Sequence, residues 1–193
     1  MYVWDAKNRE EVWLLDHIEE MGLDDSAFRS RDYVIAIDEA EHEKAGFGRI
    51  RIHKTDDEEI CELTSIGVLD QWRGQGVGAH VIERLVEYAS DEGFDVVYSL
   101  TGADRYLTQF GFERIAVDAL PARLQERLEE KTENIQPDAV PMRLDRADFS
   151  VPPRLRERFK NASAHEAEPE PEDSAEDFGI DPDEATYKYD TGR

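Results

Sequence analysis

Three glycines at alternate positions, Gly74, Gly76 and Gly78, stand between a strand-like run and a helix-like run, and nothing else in this chain narrows its fold so far. The stretch reads Val68-Leu69-Asp70-Gln71-Trp72-Arg73-Gly74-Gln75-Gly76-Val77-Gly78-Ala79. Glycine lets a backbone turn tightly and lets its N–H groups approach an anion with no Cβ in the way. A helix opening near Gly76 adds unpaired N–H groups and the positive end of its dipole. The segment therefore predicts a pyrophosphate cradle. In a chain of net charge −23 it is the strongest anion site the sequence offers.

Flanking patterns place the cradle. Tyr2–Trp4 reads as a short strand, and Asn8 as a helix N-cap with Glu11 as its capping-box partner. Val12, Leu15, Ile18 and Met21 give that helix one buried face, and Gly22 ends it. Tyr33–Ile37, Gly46–Ile52 and Ile60–Leu69 then read as an antiparallel meander, with Arg49 and Arg51 sharing a face of the middle run. Gly76–Ser90 reads as an amphipathic helix, and Val96–Tyr98 as a buried strand parallel to Ile60–Leu69. A short helix over Asp104–Phe110, a strand over Phe112–Val117, a helix over Ala122–Lys131 and an edge strand at Val140–Leu144 follow, the edge placement resting on Pro141. The expected fold is thus a mixed α/β sheet: a meander, then a parallel strand–helix–strand unit, with flanking helices.

Three ligands compete for the cradle. A nucleotide P-loop needs Gly-Lys-Ser/Thr, and Gly78-Ala79-His80 offers none. A dinucleotide loop matches formally at Gly74-x-Gly76-x-x-Ala79, but should follow the first strand of its unit and precede a strand ending in an acid. Here it follows a meander, and the next strand ends in Ser99-Leu100-Thr101. The third reading rests on likeness. Arg73-Gly74-Gln75-Gly76-Val77-Gly78 resembles the acyl-CoA loop of the GNAT acetyltransferases, Leu63–Val68 resembles their fourth strand, and Tyr106-Leu107-Thr108-Gln109-Phe110-Gly111-Phe112 their closing motif. Val97–Thr101, Gly111-Phe112, Pro121 and Pro137–Met142 look like the branch containing N-acetylglutamate synthases.

That resemblance, covering residues 2–145, implies an N-acetyltransferase. It would carry an acetyl group from acetyl-CoA to a primary amine, such as that of an amino acid. Ile66, Gly67, Val68 and Arg73 to Ala79 (Arg73, Gly74, Gln75, Gly76, Val77, Gly78, Ala79) would contact the donor. Glu62 would be the base that frees the amine. The family's acid, a tyrosine, falls on Leu107; the adjacent Tyr106, which would point elsewhere on the helix, is the candidate acid that remains, with direct release of the thiolate or a water as acid as the alternatives. Arg49 and Arg51 could meet an acceptor carboxylate. A protein or peptide amine as acceptor and a non-catalytic acetyl-CoA-binding module remain open. So does a homodimer.

Composition adds exclusions. The acidic balance, 46 Asp and Glu against 23 Lys and Arg, argues against nucleic acid and anionic membrane surfaces as partners. Few of those cations are lysine, and the composition resembles that of salt-in halophiles of the haloarchaeal type. Cys61 stands alone in an apolar strand, the histidines are scattered, and no metal set is expected. With no long apolar run or signal-like start, a cytoplasmic protein is expected. One domain over residues 1–158 should precede an acidic, disordered tail over 159–193.

Overall fold

The computed structural model describes residues 1–164; the expected tail, from residue 165 on, lies outside the described residues. The strands are β1 (Tyr2–Asp5), β2 (Tyr33–Ile37), β3 (Lys44–Lys54), β4 (Glu59–Val68), β5 (Val96–Thr101), β6 (Glu113–Arg114) and β7 (Val140–Asp145). They form one sheet in the order β1-β2-β3-β4-β5-β7-β6. The first four pair antiparallel as a meander, and β4 then pairs parallel with β5. Helices α1 (Glu11–Glu20), α2 (Val77–Asp91), α3 (Asp104–Thr108), α4 (Ala122–Asn134) and α5 (Pro153–Lys160) flank the sheet. None of the described helices is long and apolar enough to cross a membrane.

Strand alternation splits the core in two. Val34 and Ala36 pack with Val77, Val81 and Leu85 of α2. Their neighbours Tyr33, Ile35 and Ile37 pack with Leu14 and Ile18 of α1, on the other face. On that second face, Leu124 and Leu128 of α4 meet Ile60 and Leu100. Cys61 is buried among the α2 residues, and burial pushes its thiol up to about 12, so it stays a neutral apolar group.

Several local expectations shift. The capping box forms one residue early: the Lys7 N–H donates to Glu10 Oε2 at 2.9 Å, and a short turn at Asn8–Glu10 precedes α1. The strand expected over Phe112–Val117 shrinks to β6, which pairs with Met142 and Arg143 of β7. Hence β7 is not the edge; it lies between β5 and β6. Pro141 is tolerated there because its carbonyl accepts from the Ile115 N–H at 3.1 Å, so its missing donor faces the frayed β6 side rather than β5. Helix α5 crosses the boundary expected at residue 158, and its Leu155 is buried in the core.

Candidate active site

The site arises where the sheet forks. Pairing of β4 with β5 is confined to Glu62–Leu63 against Tyr98–Ser99. Beyond it the strands diverge, because β4 carries a bulge opposite Phe47–Arg49 with Ser65 at φ +49°. A non-glycine residue held there costs on the order of 1 kcal/mol or more, offset here by the Ser65 hydroxyl donating to Asp24 O at 2.6 Å. The bulge also reverses the strand's parity. Cys61 and Leu63 face the α2 core before it, and Ile66 and Val68 after it. Ser99 pins the split point, its hydroxyl donating to Leu63 O at 3.0 Å.

A cleft of about 920 Å³ occupies the fork and runs from the glycine loop to α4. That is ample for a drug-sized or nucleotide ligand. Of the donor contacts expected from sequence, all but Gly67, Gln75 and Ala79 border it. Gly67 lies under Met21 and Phe47, Ala79 is buried in the core, and the Gln75 side chain bonds Ser163. At Gly78 a Cβ would lie 3.1 Å from the Tyr106 hydroxyl, inside the cleft wall. Gly76 has a second reason to be glycine. Its φ is +78°, and a Cβ would lie within 2.3 Å of Leu155 O of α5. Gly76→Ala should therefore loosen α5. Faster hydrogen exchange across residues 153–160, with the meander still protected, would show this; unchanged exchange in α5 would contradict it.

The other end of the cleft holds buried charge. Glu62 is fully buried, accepts from His53 at 2.7 Å and lies 3.5 Å from Arg127 Nε. Its Oε1 is buried without a protein hydrogen bond. Arg127 also pairs with Asp24, which borders the cleft, so Glu62 is linked to the cleft through Arg127. Lys131 borders the cleft directly, 5% exposed. Its ammonium spans the fork, donating to Leu100 O at 2.5 Å and Thr64 Oγ1 at 3.5 Å, with no carboxylate within ion-pair distance among the described residues. Burial lowers it to about 8, although Glu62 nearby favours its charge.

The arginines expected at the acceptor are elsewhere. Arg49 is buried, donating to Ser26 O at 2.7 Å, Ala27 O at 2.6 Å and Asp32 at 3.3 Å, which ties the Asp24–Arg29 loop to β3. Arg51 is half-buried across the strand pair from Glu62. Neither borders the cleft; Arg49 is held by the carbonyls of that loop instead. Tyr106, expected to point elsewhere, does border it, as does Leu107. They meet it differently: Leu107 is buried in the core, whereas Tyr106 is more exposed. Desolvation at the cleft wall pushes the Tyr106 phenol up to about 12, although the residue as a whole is 38% exposed, and it keeps its proton at neutral pH. Arg127 and Lys131 escaped the sequence reading. Their signal was spacing: they fall at i+3 and i+7 from Leu124, on the apolar stripe of α4.

A meander joined to a parallel strand–helix–strand unit, forked beside a glycine loop at a helix start, is the mixed α/β architecture expected from the sequence. The Acetyltransferase (GNAT) family model matches residues 1–112, more than half of the chain's 193, and the chain belongs to that family. An uncharacterized N-acetyltransferase from Chlorobaculum tepidum is 26% identical over 65 residues, 34% of this chain and 42% of that one. The chain thus spans less than half the length of that relative. Two solved structures share the fold. One is a Mycobacterium tuberculosis protein in complex with CoA and NLQ, at TM-score 0.62 and 16% identity, covering 75% of this chain and 99% of that one. The other is N-acetylglutamate synthase from Neisseria gonorrhoeae complexed with coenzyme A and N-acetyl-glutamate, at TM-score 0.60 and 14% identity, covering 74% of this chain and 34% of that one.

Proposed function

We propose that this chain is an acetyl-CoA-dependent N-acetyltransferase whose acceptor is a small amine bearing a carboxylate, such as an amino acid. The observation that carries the reading is the forked cleft, with glycine-loop N–H groups at one end and the buried, ion-pair-free Lys131 at the other. Both solved neighbours were determined with CoA, and one with an N-acetylated amino acid. Acetyl-CoA, when bound, supplies an activated thioester. Backbone N–H groups of Arg73–Ala79 would hold its pyrophosphate. Those of Ile66–Val68, on a strand stretch that β5 no longer pairs, would steady its carbonyl oxygen. Glu62, held by His53 and Arg127, lies behind the cleft wall and would take the amine proton through a water bonded to its unpartnered Oε1. Lys131 would receive the acceptor carboxylate, the task first expected of Arg49 and Arg51.

The acidic surface supports a second reading, a lysine-rich peptide as acceptor. Thiol release from acetyl-CoA, with amino acids, simple amines and basic peptides in turn, separates the two. Turnover confined to amino acids is the expected result. Turnover confined to peptides, or none with any amine, would contradict it.

Lys131 adds a pH test. Its charge is present below its pKa of about 8 and lost above it, so carboxylate affinity should fall as pH rises through that value. An N-acetylated amino acid has no amine of its own to titrate. Its inhibition constant should rise about tenfold between about pH 7 and about pH 9.5 in the wild type, and stay flat in Lys131→Met. A flat wild-type profile would remove Lys131 from the acceptor site.

A further inference from the structure

We infer that helix α5 is part of the donor site, with Arg154 and Arg158 as cationic contacts for the donor's phosphates; this rests on the acetyl-CoA reading above. The helix is built onto the glycine loop. Its Leu155 is buried against α2 and the cradle, and its Phe159 stacks on His80 with ring centroids 3.7 Å apart. Arg156 pairs with Glu83 at 2.8 Å, and Ser163 and Gln75 exchange hydrogen bonds at 2.9 and 3.0 Å. These anchors hold one flank of α5 to α2. A second flank faces the cleft, and Arg154 and Arg158, four residues apart, share it.

Charge and position together single these two out. Acids outnumber bases two to one in this chain, and most of its arginines meet a carboxylate, as Arg73, Arg84, Arg127 and Arg156 do. Arg154 and Arg158 form no ion pair among the described residues. They donate instead to neutral oxygens beside the cradle, Arg154 to Gln109 Oε1 at 2.7 Å and Arg158 to Gly74 O at 3.4 Å. Among the described residues, the cleft is bordered by Arg73, Lys131, Arg154 and Arg158 but by a single acid, Asp24. So the acidic balance of the chain is inverted at its phosphate end. Guanidinium groups pair well with phosphate oxygens, which the backbone cradle alone leaves partly exposed to the field of the acidic surface. Both side chains are exposed and replaceable without opening the core.

Calorimetric titration of CoA and dephospho-CoA into the wild type, Arg154→Gln/Arg158→Gln and Arg154→Lys/Arg158→Lys tests this. The Gln pair should bind CoA between about tenfold and a hundredfold more weakly. Its affinity should depend less steeply on salt. The Lys pair, keeping the charges, should recover part of the loss, and α5 should show wild-type hydrogen exchange in both. A loss that vanishes with dephospho-CoA places the contact on the 3′-phosphate, and one that persists places it on the pyrophosphate. Wild-type affinity and salt dependence in the Gln pair would overturn the inference alone. A loss accompanied by exchange throughout α5 would overturn it too, by making the arginines structural. Absence of CoA binding by the wild type would bring down both this inference and the reading it rests on.

Discussion

Glu62→Gln is expected to lower kcat by about 10²-fold or more, the usual scale for a lost general base. Acetyl-CoA affinity should survive, since Glu62 lies off the glycine loop and does not border the cleft. Loss of a buried carboxylate normally strands its partner charge, but Arg127 keeps its pairing with Asp24, so the variant should still fold. Activity should recover at high pH, where the amine deprotonates without help. Tyr106→Phe is the companion variant. Its phenol holds its proton tightly and packs edge-on against Phe110, with centroids 5.2 Å apart, so a loss below about tenfold is expected. A silent Glu62→Gln beside a large loss in Tyr106→Phe would move the proton chemistry to α3. A silent Glu62→Gln beside a 10²-fold loss of kcat in Lys131→Met would make Lys131 the base.

Gly78→Val should abolish measurable acetyl-CoA binding while leaving the fold intact. Unlike Gly76, Gly78 has an ordinary helical backbone, and its added side chain would meet only cleft-wall groups, the Tyr106 hydroxyl and Val68 Cγ2 at 3.1 and 3.5 Å. A branched side chain there would screen the first N–H groups of α2. Two or three charge-assisted bonds at about 1.5–3 kcal/mol each would be lost, which is more than a 10²-fold loss of affinity. Calorimetry beside a thermal melt distinguishes this from unfolding. Wild-type affinity in a folded Gly78→Val would remove the pyrophosphate from the cradle.

What the sequence showed depended on range. The glycine loop, the meander and the parallel crossover are written in neighbouring residues, where turn chemistry and periodicity act, and they were legible. The fork was not, because it needs the Ser65 bulge, and one inserted residue reverses strand parity without altering composition. Helix α5 was passed over because Pro153–Lys160 is rich in charge and its apolar Leu155 and Phe159 are too few to set a stripe; the Gln75 that ties down the stretch after it, at Ser163, lies 88 residues away. Arg49 misled for the same reason. Its face on β3 was read correctly, but the loop carbonyls that hold it come from residues more than twenty positions upstream. Lys131 was the near miss, since a lysine on the apolar stripe of an amphipathic helix signals either a buried charge or a ligand contact.

On this reading the β4–β5 fork and its glycine loop form the acetyl-CoA site. Following backbone amide resonances of the wild type during titration with acetyl-CoA tests it most directly. The largest saturable shifts should fall on Ile66–Val68 and on Arg73–Ala79. Saturable shifts confined to the separate hollow beside Asp5, Asn8 and Tyr88 would contradict it, as would no shift at millimolar acetyl-CoA.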